Sequence, residues 1–200
     1  IRKLILSDSS DISNPQDIML NIKQFYSGLY KKTSVKTEKE CLEYLKQLSI
    51  PRLTADDKNL CDKKITYNEI WDSLNSMASN KSPGNDGLTK EFYLCFFDIL
   101  SKPFISAMNC AFDRETLSSS QKQAVITLIE KKGKDKRFLK NWRPISLINV
   151  DVKIISKCLA TRLKKVIKSL LASDQTAYVN GRYIGETFRL IDDLIEYADN

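Results

Sequence analysis

Arg143 stands between Trp142 and Pro144, and those neighbours decide what its guanidinium can do. Pro144 fixes its own φ and steers Arg143 away from helical angles, so the arginine sits extended at a strand entrance with its side chain projecting. Held that way, the planar five-donor fork can grip a triphosphate or a backbone phosphate bidentately; the plainer alternative is an internal ion pair. Just upstream, Lys131, Lys132, Lys134, Lys136 and Lys140 crowd one short stretch. The run Lys131-Lys132-Gly133-Lys134-Asp135-Lys136 lacks the spaced glycine and the Gly-Lys-Ser/Thr ending of a P-loop, so it reads as a basic loop. Near the end of the chain, Asp192, Asp193, Glu196 and Asp199 cluster opposite an apolar helical stripe, where acids read as a solvated face rather than a metal site. The chain has no histidine, which removes the usual general base and the commonest zinc ligand together.

Charge separates along the chain. Of a net +7, the segment from Lys131 to Lys168 holds thirteen lysines and arginines against Asp135 and Asp151, leaving the remainder net acidic. Such segregation implies a polyanion that docks on the segment. With 200 residues, 42% of them hydrophobic and 28% charged, the chain supports one or two globular domains. Its apolar runs are far shorter than a membrane helix needs, and no signal pattern opens it, so an intracellular protein of nucleus or cytoplasm, without a membrane partner, is expected. Cys41, Cys61, Cys95, Cys110 and Cys158 lie far apart without a Cys-x-x-Cys and read as buried small hydrophobes.

The elements that position these residues follow from periodicity and caps. Ile1 to Leu6 is β-like and leads into a polar stretch. Asn14 and Pro15 open a helix with Ile18, Ile22, Phe25, Tyr26 and Leu29 on one face, closed by the tail Lys31 to Ser34. Thr37 with Glu40, and Thr66 with Glu69, have capping-box spacing, and Thr54 precedes Asp56 and Asp57. Leu42, Leu45 and Leu48 face one of these helices; Ile70, Leu74, Met77 and Ala78 face another. Asn80 to Gly87 reads as a tight interhelix turn. Helices then span Thr89 to Leu100 and Lys102 to Arg114, with Phe92, Phe96, Phe104, Ile105, Met108 and Phe112 as core. Ala124 to Ile129 is expected to be a buried strand, Lys131 to Lys140 a flexible loop, and Ile145 to Ile148 the returning strand. Together they make a two-stranded finger with a basic tip. A long helix follows, with Ile155, Leu159, Leu163, Val166 and Leu170 buried and Lys153, Lys157, Lys164 and Lys168 on its other faces. Asn180-Gly181-Arg182 is a turn, and Gly185 to Ala198 a last helix with Phe188, Ile191, Leu194 and Ile195 inward.

Four blocks in order resemble the first blocks of reverse transcriptases from LINE-type (non-LTR) retrotransposons: Lys81-Ser82-Pro83-Gly84-Asn85-Asp86-Gly87 through Tyr93; Leu128-Ile129-Glu130-Lys131-Lys132-Gly133-Lys134-Asp135; Trp142-Arg143-Pro144-Ile145-Ser146-Leu147; and Asp174-Gln175 with Gly181-Arg182. Phe25 to Tyr30 resembles the helix that precedes them. The resemblance implies an α+β chain, a mainly helical N-terminal half followed by the fingers of a right-hand polymerase with a short antiparallel sheet. It implies an extension over 1–65 and an incomplete fingers-and-palm domain over 66–200. Arg143 and Lys131 would bind the incoming nucleotide; Lys132, Lys134, Gly181 and Arg182 would face template RNA and DNA primer. Mg²⁺ for phosphoryl transfer would be held outside these residues, so this span carries no catalytic residue and no metal ligand, and would not polymerise deoxynucleotides alone. Tyr197-Ala198-Asp199-Asn200 imitates the polymerase Tyr-Ala-Asp-Asp box but ends a helix where the box needs a hairpin. The other reading is a non-catalytic RNA-binding or assembly module.

Overall fold

The structure, a computed structural model, describes residues 1–6, 10–31, 36–49 and 51–199. Most of the polar stretch after Leu6, the Lys32-to-Ser34 tail and Asn200 lie outside them. Leu4–Ile5 (β1) pairs antiparallel with Asp11–Ile12 (β2). Six helices follow: Pro15–Leu29 (α1), Glu38–Lys46 (α2), Ala55–Asp62 (α3), Tyr67–Ser76 (α4), Lys90–Cys95 (α5) and Phe97–Asp113 (α6). Ala124–Glu130 (β3) and Trp142–Ile148 (β4) form an antiparallel hairpin, and Val150–Leu170 (α7) and Gly185–Asp199 (α8) complete the order. The fold is α+β, as the sequence implies.

Local chemistry sets the helix starts. Asn14 accepts from Gln16 N at 2.8 Å with Pro15 at the first position of α1. Both capping boxes close: Glu40 with Thr37 before α2, and Glu69 with Thr66 before α4. The turn between α5 and α6 falls at Phe96 (φ −106°, ψ 14°) rather than near Ser101. Pro103 thus lies inside α6, where it removes one backbone donor without ending the helix.

The core joins Ile65, Ile70 and Leu74 to Tyr93 and Phe97, and sets them against Val150, Ile154 and Cys158 of α7. Burying an aliphatic side chain of this size contributes about 1.5–3 kcal/mol. On α7 the buried stripe is Val150, Ile154, Cys158, Arg162 and Val166, and of the expected stripe only Val166 is buried. Leu163 is exposed and Ile155 and Leu159 are half-buried. The aromatic core is carried by Tyr93 and Phe97, while Phe96 is exposed.

Arg162 is the reason the stripe moves. Its side chain is 3% exposed and all five of its donors are used. Nε bonds Glu69 Oε1 at 2.7 Å and one Nη bonds Oε2 at 2.9 Å. The others reach the carbonyls of Cys61, Lys63 and Lys64 at 2.9, 2.5 and 3.0 Å. One guanidinium therefore satisfies the backbone between α3 and α4 and ties it to α7. The Arg162 bonds, helped by those from Thr66 and opposed by burial, pull the Glu69 carboxyl down to about 2.

Three expected burials are absent. β3 is exposed along nearly all its length, on both faces. α2 and α8 bury no residue: Leu42, Leu45 and Leu48 of the first segment and Phe188, Ile191, Leu194 and Ile195 of the second are all exposed. Only Cys158 among the five cysteines is buried, and all five are free thiols.

Candidate functional site

The hairpin carries the site. Lys131 N donates to Asn141 O at 2.9 Å just beyond the paired strands, and the register runs from Glu130↔Trp142 to Ala124↔Ile148. Pairs alternate between hydrogen-bonded and open along an antiparallel ladder. Arg143 opposite Ile129 is therefore a bonded pair, and Pro144 opposite Leu128 an open one, where its missing N–H faces outward and costs the ladder nothing. Side chains alternate between faces, so Arg143 projects beside Ile145 and Ile129. It is exposed, and no ion pair holds it among the described residues. Arg143 thus departs from the alternative reading, an internal ion pair.

The tip is closed rather than open. Trp142 Nε1 donates to Lys136 O at 2.8 Å, and Asn141 Nδ2 to Asp135 O at 2.8 Å. Lys136 pairs with Glu130 at 2.5 Å and Arg137 with Asp135 at 2.9 Å. The Arg137 bonds lower the Asp135 carboxyl below the ordinary carboxylate range. Two of the cations counted in the sequence are thus neutralised locally, and a third, Arg162, is buried. Lys132 and Lys134 remain exposed at the tip.

Lys131 and Arg143 line one cavity of about 400 Å³, together with Lys140, Trp142 and Pro144 from the hairpin and Phe25, Tyr26 and Leu29 from α1. Lys131 Nζ donates to Lys140 O at 2.7 Å, leaving donors to spare. The α1 contribution is the part sequence reasoning missed. The stripe was legible, but nothing in it said that the helix would lie against the finger. α1 buries Ile18 and Tyr26, while β1, ahead of it, buries Leu4 and ties to the tip through Ile5 N, which donates to Arg137 O at 2.8 Å. The buried Tyr26 hydroxyl has no hydrogen-bond partner among the described residues, and burial raises its pKa.

Gly181 and Arg182 lie elsewhere, at the end of α7. Gly181 takes φ +76°, and a Cβ there would stand 2.8 Å from Lys168 Nζ. Arg182 folds back to donate to Gln175 O at 2.7 Å, to Leu171 O at 3.1 Å and to Ala172 O. Leu171 caps α7 and Ala172 and Gln175 lie in the loop beyond it, so Arg182 folds that loop back onto the helix end.

No cluster of three or more acidic, cysteine or histidine side chains among the described residues could hold a metal ion. None of their helices is long and apolar enough to cross a membrane.

The geometry defines a class: an α+β chain that presents an exposed, basic, proline-marked hairpin braced by a helix. No family model matches it. The chain is similar to the "Transposon TX1 uncharacterized 149 kDa protein" of Xenopus laevis, 36% identical over 195 residues, across 98% of this chain and 15% of that protein. It therefore spans about 15% of the length of the curated relative it matches.

Proposed function

We propose that the chain is the N-terminal extension, fingers and start of the palm of an RNA-directed DNA polymerase of a LINE-type, non-LTR retroelement. In this reading Arg143 and Lys131 hold the incoming deoxynucleotide's phosphates, and Lys132 and Lys134 contact template RNA and primer. The observation that carries it is the exposed Arg143, without an ion pair among the described residues, sharing a cavity with Lys131 at the base of a basic tip. Similarity to a transposon protein across 98% of the chain supports it. Planarity and charge suit Arg143 to a phosphate that also meets a lysine. Mg²⁺ would supply charge neutralisation for phosphoryl transfer, and no residue of this chain is assigned to it. Gly181 and Arg182 serve the template side by fixing the turn after α7, with direct contact left to the donors Arg182 keeps free.

Primer extension on an RNA template by the full-length protein tests the reading. Template-dependent synthesis with deoxynucleotides is expected; RNA binding without synthesis would favour the assembly-module reading, and neither would overturn both.

A further inference from the structure

A second cationic site lies at the other end of the finger. Lys81, Lys90, Lys153 and Lys157 line one recess of about 410 Å³ with Met77 and Ser82, and no acid lines it. Two of these amines build the recess. Lys90 is 8% exposed and its Nζ donates to Met77 O at 2.5 Å and Asn75 O at 3.2 Å. Lys153 Nζ donates to Ser82 O at 3.1 Å, tying the loop to α7. Lys81 and Lys157 have no hydrogen-bond or ion-pair partner for their amines among the described residues.

Gly84 locks the loop in place. A Cβ at this position would come within 2.1 Å of Asn149 Oδ1, 2.4 Å of Asn149 N and 2.6 Å of Ile148 C. Only a residue without a side chain lets the loop press against the strand-to-helix junction. What reads from sequence as a plain turn is a clamp that suspends Lys81 over the lysines of α7. The neighbouring acids stay out of the lining: Glu91, which also attracts Lys90, accepts from Asn80 N, Asp86 from Leu88 N and Asp151 from Gln121. Four amines converging with no acid in the lining repel one another, and an anion relieves that repulsion. The positive end of the α7 dipole, at Val150 in the same lining, adds to the field.

We propose that this recess binds a backbone phosphate of single-stranded nucleic acid, with Lys81 and Lys157 as the contacting residues and Lys90, Lys153 and Gly84 as positioning ones. The proposal rests on the polymerase reading above and assigns it a second anchor. From Arg143 to Asn149 the strand runs roughly 20 Å at about 3.3 Å per residue, so one phosphate cannot serve both sites.

The test is fluorescence anisotropy of the full-length protein with a short labelled single-stranded RNA across a salt series. Lys81→Ala/Lys157→Ala is expected to bind roughly tenfold more weakly, with a salt slope shallower by about 0.7 for each phosphate the variant no longer neutralises. Lys81→Ala alone, at an exposed position, shows part of the same loss without risk to the fold, and Lys81→Arg/Lys157→Arg restores binding. The KM for nucleotide in primer extension stays within about twofold, because the ligand released is backbone rather than triphosphate. Equal losses from the charge-matched pair Lys46→Ala/Lys58→Ala, outside the recess, would overturn the proposal. So would an unchanged slope, or a raised nucleotide KM with intact RNA affinity. In each case Arg143-dependent synthesis would leave the polymerase reading standing, whereas an unaltered protein that binds no RNA removes both.

Discussion

Replacing Glu69 with glutamine removes the charge that Arg162 was buried against. In the folded chain the carboxyl stays ionised to about pH 2, whereas unfolded it takes up a proton near 4.5. A drop of about 2.5 in pKa, at about 1.36 kcal/mol for each, amounts to about 3 kcal/mol. Because the folded value is the lower one, that stabilisation is whole above about pH 4.5 and fades as pH falls toward 2. Domains of this size have about 5–15 kcal/mol in all, so Glu69→Gln should cut deeply at neutral pH. Trp71, on α4 and 5.0 Å from the Phe97 ring, reports unfolding of that region. Urea melts followed by its fluorescence should place the variant about 3 kcal/mol below the parent at pH 7. That gap should narrow by about 1.4 kcal/mol for each pH step below 4.5. A gap that is absent at pH 7, or unchanged by acid, would refute the claim that the Arg162–Glu69 pair fastens α7 to the α3–α4 junction.

Arg143→Ala should raise the KM for nucleotide far more than it weakens RNA affinity, read by primer extension and filter binding; equal effects would move Arg143 to template duty. Gly84→Ala should destabilise by about 1–3 kcal/mol in thermal melts, since the Cβ meets backbone that cannot rotate away. Leu74→Ala, at a wholly buried position, should lose about 2–5 kcal/mol in the same melts. Arg182→Ala should speed amide exchange over residues 171–182 while leaving α4 protected, and uniform protection would deny it the helix-end role.

What was legible in the sequence is what is local. The boxes at Thr37–Glu40 and Thr66–Glu69 and the Asn14–Pro15 start are decided within a few residues, and the hairpin by one basic turn between two apolar runs. Arg162 was not legible, because its burial depends on a carboxylate 93 positions away that the capping box had already explained. The expected stripe ran through Ile155, Leu159 and Leu163, one position along from the buried Ile154, Cys158 and Arg162. The apolar faces of α2, α8 and β3 show the opposite failure. Amphipathic patterning announces a face to be covered and is silent on what covers it. At the site, Arg143 and Lys131 were found by neighbour chemistry, whereas the α1 wall of their cavity and the lysine recess depend on the packing of distant segments.

Pro144 also bears on how the hairpin can grow. Among the described residues both strands are edges, and an edge invites pairing with any extended segment that reaches it. Along β4 the proline withholds one of the outward donors a newcomer would need, while β3 offers a full row. A third strand, from the same polypeptide or a neighbouring molecule, gains more bonds beside Ala124–Glu130, so unwanted fibrillar pairing and productive sheet extension compete for the same side of the finger.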